Sequence, residues 1–117
     1  MKNVDAVLAE REAVLRKLED IRSLRKGNLN EQWFPVVRDG KKTEELRGPY
    51  YVWSYKAGNK TVSERLTTQT DVEQARQDAA NYREFRALFH ELERLTEELG
   101  QTERTRATED QAVKKGL

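Results

Sequence analysis

The spacing of apolar residues predicts a helix near the start of the chain. In this segment apolar positions recur at steps of three and four residues, the spacing of one helix face. They are Val4, Val7, Leu8, Val14, Leu18 and Ile21. Most other positions carry charged residues, which the same spacing places on the exposed faces of the helix. Gly27 followed by Asn28 is a suitable pair of residues to end this helix. The pattern therefore predicts an amphipathic helix over residues 3–25.

A second apolar ladder runs from Val72 to Leu99 and predicts another helix, over residues 71–99. Gly100 is placed to end it. The remaining residues, 101–117, are polar and lack apolar periodicity. We therefore expect them to form a frayed or disordered tail.

Three stretches between the helices are rich in aromatic and β-branched residues, as strands are. The segments QWFPVV, PYYVWSYK and KTVSERL lie within residues 29–68, and the proline of the first confines that strand to a sheet edge. RDGKKTEELRG reads as a polar loop. The order predicts an α+β protein, in which an antiparallel, coiled-coil-like helical hairpin carries a small antiparallel sheet of two or three strands between its helices. Residues 1–100 are expected to form a single domain.

The two strong strands flank a Gly58-Asn59 pair, a recognised hairpin signal. A two-residue turn pairs Trp53 with Glu64 and separates two unlike faces. One would carry Tyr51, Trp53, Tyr55, Val62 and Leu66, and the other Val52, Ser54, Lys56, Thr61, Ser63 and Arg65. The aromatic face is then expected to be core, packed on the helices or on the first strand with Trp33 and Val37.

A three-residue turn is the alternative register for this hairpin. It would place Lys56 opposite Lys60, and like charges directly opposed are unfavourable. The two-residue turn is therefore the preferred prediction.

The apolar stripe of the second helix is too wide for one partner helix to cover. A second copy of the protein is a natural cover, which predicts a homodimer. The residues expected at this oligomer or partner interface are Leu88, Phe89, Leu92, Leu95 and Leu99.

Composition excludes several classes of function. The 22 basic and 21 acidic residues give a net charge of +1, which does not by itself predict binding to a polyanion. The absence of cysteine excludes disulfides, thiolate metal sites and cysteine nucleophiles. No apolar run approaches a membrane span and no signal-peptide pattern opens the chain, so a cytoplasmic protein without membrane contact is expected.

No group of residues has the spacing of a catalytic or metal site. His90, the only histidine, falls among charged residues of the second helix and reads as a solvated side chain. The carboxylates are spread along helix faces, where pairing with basic neighbours explains them. We therefore predict a non-enzymatic protein that uses no metal or other cofactor.

Positive charge is nevertheless concentrated in the middle of the chain. Residues 22–65 hold ten basic and five acidic residues. On an exposed β-ribbon such side chains can contact phosphates, and a two-stranded ribbon fits the major groove of DNA. The predicted nucleic-acid contacts are Arg47, Lys56, Lys60, Arg65, Lys41 and Lys42. The alternative is that these charges only keep a small sheet soluble.

The strand from Gly48 to Tyr51, the KTVS strand and the charged helix ANYREFRALFHELERLTEEL together carry a resemblance. They resemble a family of small bacterial and archaeal proteins that is known only as a domain of unknown function, many of them encoded near transposases. The resemblance covers about residues 20–99. Many members carry clustered cysteines before the Gly-Pro-Tyr, whereas VVRDGKKTEEL has none here, so a zinc site is not implied.

Two functions from different classes follow from these observations. The first is a DNA-binding or other nucleic-acid-binding accessory protein linked to a mobile element, which uses the basic face of its β-ribbon. The second is a protein-interaction module whose helical hairpin docks onto a larger protein.

Overall fold

The computed structural model describes residues 3–116, with side chains for residues 3–110. In chain order, the elements are α1 (Val4–Asp20), β1 (Asn28–Arg38), β2 (Lys41–Ala57), β3 (Lys60–Leu66) and α2 (Gln69–Gly116). The predicted α+β class and the order of helix, sheet and helix are confirmed, and the sheet has three strands.

The described part of the chain forms two compact units. The sheet unit is Ser23–Arg83, which contains the three strands and the first turns of α2. The helical unit consists of the described parts of Met1–Arg22 and Glu84–Leu117.

The sheet is antiparallel with the order β1-β2-β3. Gly58 has a φ of 66°, which supplies the positive dihedral that the two-residue β2–β3 turn requires. Trp53 pairs with Glu64 and Tyr51 with Leu66. The register predicted from the sequence is therefore confirmed, and the three-residue alternative is wrong.

The first hairpin differs from the prediction. Asp39 and Gly40 both have positive φ, 52° and 75°, and form a two-residue turn between β1 and β2. The stretch read as a polar loop is the long first half of β2, which spans 17 residues. An Asp-Gly pair is a strong hairpin signal. The polar residues after it nevertheless lack the apolar alternation of a strand, because neither face of this part of the hairpin is buried.

The core of the sheet unit lies between one face of the sheet and the first turns of α2. Trp53 is 3% exposed and is buried with Leu66, Val72 and Ala75. The core position predicted for Trp53 is confirmed. The suggested packing with Trp33 and Val37 is wrong, since Trp33 is 49% exposed and Val37 is more so. Both lie in the distal half of the β1–β2 hairpin, beyond the reach of β3, where nothing in the sheet unit covers them.

The segment between α1 and β1 is held by the buried carboxylate of Asp78. Ser23 Oγ donates to Asp78 Oδ1 at 2.6 Å, and Arg25 Nε lies 3.2 Å from Asp78 Oδ2. The Arg25 amide also donates to the Asp78 carbonyl at 3.2 Å. These contacts hold residues 21–26 in a non-helical conformation, so α1 ends at Asp20 and not at the predicted residue 25.

In the helical unit α1 and α2 pack antiparallel. Arg11 Nε donates to Thr96 Oγ1 at 3.1 Å, while the N-terminus of α1 lies beside Thr102 and Arg106. The buried centre consists of Val7, Val14 and Leu95, against which Leu18, Leu88, Leu92 and Leu99 pack. The predicted helical hairpin is confirmed.

This packing corrects the predicted oligomer interface. Leu95 is 1% exposed, and Leu88, Leu92 and Leu99 pack in the same intramolecular cluster. Only Phe89, at 52% exposed, keeps a largely free side chain. The uncovered part of the apolar stripe is narrower than expected, because α1 covers most of the stripe.

Helix α2 does not end at Gly100 but continues to Gly116, so the prediction of a frayed tail is wrong over residues 101–116. The sequence after Gly100 is rich in Glu, Arg, Gln and Ala, which favour helix, and contains no proline. One internal glycine costs only about 1 kcal/mol relative to alanine. Thr102 and Thr105 are half-buried, so this part of the helix retains a packed side.

Candidate nucleic-acid interface

The sheet has one covered face and one open face. Because side chains alternate along a strand, the register places those opposite to Trp53 together on the open face. They are Asn28, Asn30 and Gln32 of β1, Tyr50, Val52, Ser54 and Lys56 of β2, and Thr61, Ser63 and Arg65 of β3. The predicted exposure of the Ser, Thr, Lys and Arg face is borne out, with Val52 and Ser54 half-buried.

A concave site of 520 Å³ lies on this open face. It is lined by Gln32, Phe34, Pro35, Val36, Val37, Arg47, Tyr50, Val52 and Arg65. Its volume is in the ordinary range for ligand sites, about 300–1,000 Å³. The lining combines apolar side chains with two cationic ones, and no acidic residue lines the site among the side chains that the structure describes.

Two aromatic rings and a guanidinium group form the centre of the site. The guanidinium carbon of Arg65 lies 4.4 Å from the centroid of the Tyr50 ring, a cation–π contact. The rings of Phe34 and Tyr50 have centroids 5.5 Å apart and are tilted by 55°. The two rings are thus tilted and not stacked face to face. Phe34 is 50% exposed.

Arg47 supplies the second positive charge of the site. It pairs with Phe34 across the β1–β2 ladder. Within residues 3–110 neither Arg47 nor Arg65 has a carboxylate partner at ion-pair distance. Both charges are therefore available to an anionic ligand.

Gly48 allows β2 to approach β1 closely beside this site. Its φ of 155° is unfavourable for other residues, and an added Cβ would lie 2.8 Å from the Gln32 carbonyl oxygen. Gly48 thus permits the close approach of β2 to β1 at the point between Arg47 and Tyr50.

The polar end of the open face is ordered by hydrogen bonds between side chains. Ser54 Oγ and Ser63 Oγ are 3.1 Å apart, and Asn30 Nδ2 lies 3.5 Å from Ser54 Oγ. These side chains lie on the open face between the concave site and Lys56. Each of them can both donate and accept hydrogen bonds.

The six predicted contact residues do not form one patch. Only Arg47 and Arg65 line the concave site. Lys41 and Lys42 follow the β1–β2 turn and Lys56 precedes the β2–β3 turn, at opposite ends of β2. Residues 41–57 span at most roughly 55 Å at ~3.3 Å per residue. The six residues share a positive charge, but the sheet separates them along its length.

Lys60 lies on the other side of the sheet. It pairs with Ala57, so the alternation of side chains places it on the face of Val62 and Trp53. Its side chain is exposed at the tip of the hairpin, but it does not share a face with Arg65.

Sequence reasoning missed Phe34, Tyr50 and Gln32. Tyr50 could have been found, because the predicted register already placed Val52 beside Arg65, and Tyr50 is the next residue of that face. Phe34 and Gln32 could not be found by counting outward from the Asp39-Gly40 turn, because β2 carries extra residues at two bulges.

The remaining titratable groups offer no competing site. His90 is exposed and lies 3.7 Å from a carboxylate oxygen of Glu93. Glu91 raises the pKa of Arg94, chiefly through a side-chain hydrogen bond, in a surface pair of α2. No group of three or more His, Asp or Glu side chains is placed to hold a metal ion in the described part of the chain.

Comparisons with known proteins add no identification. No family model matches the chain, and neither the curated proteins nor the solved structures include a significant match. The resemblance to the transposase-associated family thus stays a prediction from the quoted residues. Across the described residues, neither helix has an apolar stretch that could cross a bilayer.

Proposed function

We propose that this chain is a non-enzymatic protein that binds nucleic acid through the open face of its sheet. The observation that carries the proposal is the concave site that Arg47 and Arg65 line together with Phe34 and Tyr50, since neither arginine has a carboxylate partner among the residues whose side chains are described. Cationic side chains attract phosphates, and aromatic side chains contact bases.

The distribution of acidic residues over the sheet supports the same face. Glu31 pairs with Tyr51 and Glu64 with Trp53, so both carboxylates lie on the covered side. Glu45 is paired with Arg38 at 2.7 Å. These three carboxylates are thus turned away from the open face or neutralised, whereas Asp39 and Glu44 are exposed near the β1–β2 turn, away from the concave site.

Lysines near the two hairpin tips would add contacts at the ends of this face, although side-chain alternation allows only one of Lys41 and Lys42 to lie on it. Lys41 and Lys42 at one end and Lys56 at the other are exposed. A phosphate backbone that follows the strand could meet them in turn, so they would add affinity while the concave site fixes position. A mobile element is the proposed source of the nucleic acid, on the sequence resemblance alone.

Docking of a larger protein on the helical hairpin has less support. Four of the five residues expected at that surface pack against α1, and Phe89 alone does not make an apolar patch of the usual size. The proposed homodimer rests on the same surface and has the same weakness.

Fluorescence anisotropy of a labelled oligonucleotide at low and rising salt tests the proposal. We expect binding whose logarithm falls linearly with the logarithm of salt concentration. Arg47→Gln and Arg65→Gln should each weaken binding at low salt, and Arg47→Gln should reduce the salt slope by about 0.7–0.9 for one lost phosphate contact.

Arg86→Gln is the matched control. Arg86 is an exposed arginine of α2 in the helical unit, and its replacement makes the same change in net charge. If Arg86→Gln weakens binding as much as the sheet variants do, or if the unmodified protein binds no oligonucleotide at low salt, the proposal is wrong.

A further inference from the structure

The shape of the open face says more about the ligand than its charge does. The site is concave, and its lining includes the apolar side chains of Val36, Val52 and Phe34. A duplex presents phosphates and the edges of stacked base pairs, neither of which fills an apolar hollow. Unpaired bases can leave the stack and present a flat π-face to such a surface.

We infer that the ligand of the open face is single-stranded nucleic acid, whose unstacked bases enter the concave site. This inference rests on the proposed function, because it names the form of nucleic acid that the same face binds. The ring of Phe34, half-exposed and tilted by 55° from Tyr50, is the stacking surface.

Arg65 provides a second flat surface. Its guanidinium lies 4.4 Å over the Tyr50 ring, so Tyr50 holds it above the strand. Bases stack on guanidinium planes as they do on aromatic rings. A base that packs on this guanidinium would extend the Tyr50–Arg65 contact.

The polar groups at the rim have complementary roles. Gln32 lines the site and carries both a donor and an acceptor, which suit the hydrogen-bonding edge of a base. Arg47, on the neighbouring strand, suits the phosphate, because its donors match two phosphate oxygens. Stacking and phosphate binding are thus carried by different residues, and variants can separate them.

The test uses probes that share a backbone but differ in their bases. One is labelled oligothymidylate of about 12 nucleotides, within the range that small single-strand-binding folds cover. The second is an abasic deoxyribose-phosphate strand of the same length, and the third is the oligothymidylate annealed to its complement. An oligouridylate arm compares RNA with DNA.

We expect oligothymidylate to bind more tightly than the abasic strand and the duplex. Phe34→Ala should weaken binding of oligothymidylate about 5- to 100-fold, the usual effect of losing one stacked base, and leave the abasic strand unchanged. Phe34→Leu, which keeps an apolar side chain in the strand, should have a similar effect. Arg47→Gln should weaken both strands alike.

The outcomes separate this inference from the proposed function. Equal binding of oligothymidylate and the abasic strand, or tighter binding of the duplex, would overturn the single-strand inference and leave nucleic-acid binding intact. Failure to bind any probe at low salt would overturn the proposed function itself. Circular dichroism of each variant shows whether the sheet is retained, and a folded Phe34→Leu protein with unchanged affinity for oligothymidylate also contradicts the inference.

Discussion

The guanidinium group of Arg65 lies over the ring of Tyr50, 4.4 Å from its centroid, on the face of the sheet opposite to Trp53. Arg65 belongs to β3 and Tyr50 to β2, so the contact crosses the strand pair. It orders a long cationic side chain that would otherwise be free in solvent. A cationic side chain that is already ordered loses less conformational freedom when a ligand binds.

Replacing Arg65 with lysine tests the planar character of this group. Arg65→Lys keeps the charge but loses the flat guanidinium, so we expect binding of oligothymidylate to weaken about three- to tenfold. Arg86→Lys, the matched change in the helical unit, should leave the affinity unchanged. Anisotropy titrations at one salt concentration measure both. Equal affinity of Arg65→Lys and the unmodified protein would show that charge alone matters at this position.

The buried carboxylate of Asp78 should be required for the stability of the sheet unit. It is 2% exposed and interacts with Ser23, Gln74 and Arg25. Asp78→Ala removes the partner of all three, and we expect the free energy of unfolding to fall by about 1.5–3 kcal/mol in urea titrations, because Arg25 can still reach solvent.

Two further variants control for this effect. Ser23→Ala removes one hydrogen bond and should cost about 1 kcal/mol. Glu19→Ala removes an exposed carboxylate of α1 and should change stability by less than about 0.5 kcal/mol. A loss on Asp78→Ala no larger than that on Glu19→Ala would contradict the account of the connecting segment.

Gly100 distinguishes a continuous α2 from a helix that ends there. In the interior of a helix, Gly100→Ala should raise the free energy of unfolding by about 0.5–1 kcal/mol. The added Cβ would lie 3.1 Å from a guanidinium nitrogen of Arg104, which can move aside because its side chain is flexible. Helical content by circular dichroism should be kept or rise. A destabilised variant would indicate that Gly100 terminates the helix.

Leu95 and Phe89 should respond differently to truncation. Leu95 is buried against Val7 and Val14, so Leu95→Ala should cost about 2–5 kcal/mol. Phe89 is half-exposed, and Phe89→Ala should cost little in a monomer. Sedimentation of the Phe89→Ala protein measures the proposed homodimer directly. A change from dimer to monomer on this substitution alone would support a homodimer interface that includes Phe89.

The sequence predicted the fold wherever one local signal was sufficient. The Gly58-Asn59 turn defined the β2–β3 register, and that register correctly placed Trp53 in the core. The helices were recognised from their apolar stripes. Their ends were not, because α1 is ended by contacts with Asp78, far along the chain, and α2 continues through a glycine that is tolerated in a helix.

The candidate site was only half predictable for a related reason. Arg47 and Arg65 are predicted contacts because of their charge, but nothing in the sequence shows that they share one hollow. The opposite position of Lys60, by contrast, already follows from the predicted β2–β3 register. The β1–β2 register depends on bulges on both sides of the Phe34–Arg47 pair. Pro35, which lacks an amide hydrogen, lies between them. Bulges of this kind change which residues share a face, and counting along the strands does not reveal them.

Chemical-shift mapping of ¹⁵N-labelled protein with oligothymidylate tests the central claim most directly. The account predicts that the largest changes fall on backbone amides of the open face around Gln32, Tyr50 and Arg65, while the indole N–H of buried Trp53 changes little. Changes confined to α2, or none at a saturating oligonucleotide concentration and low salt, would contradict the claim that the open face of the sheet binds nucleic acid.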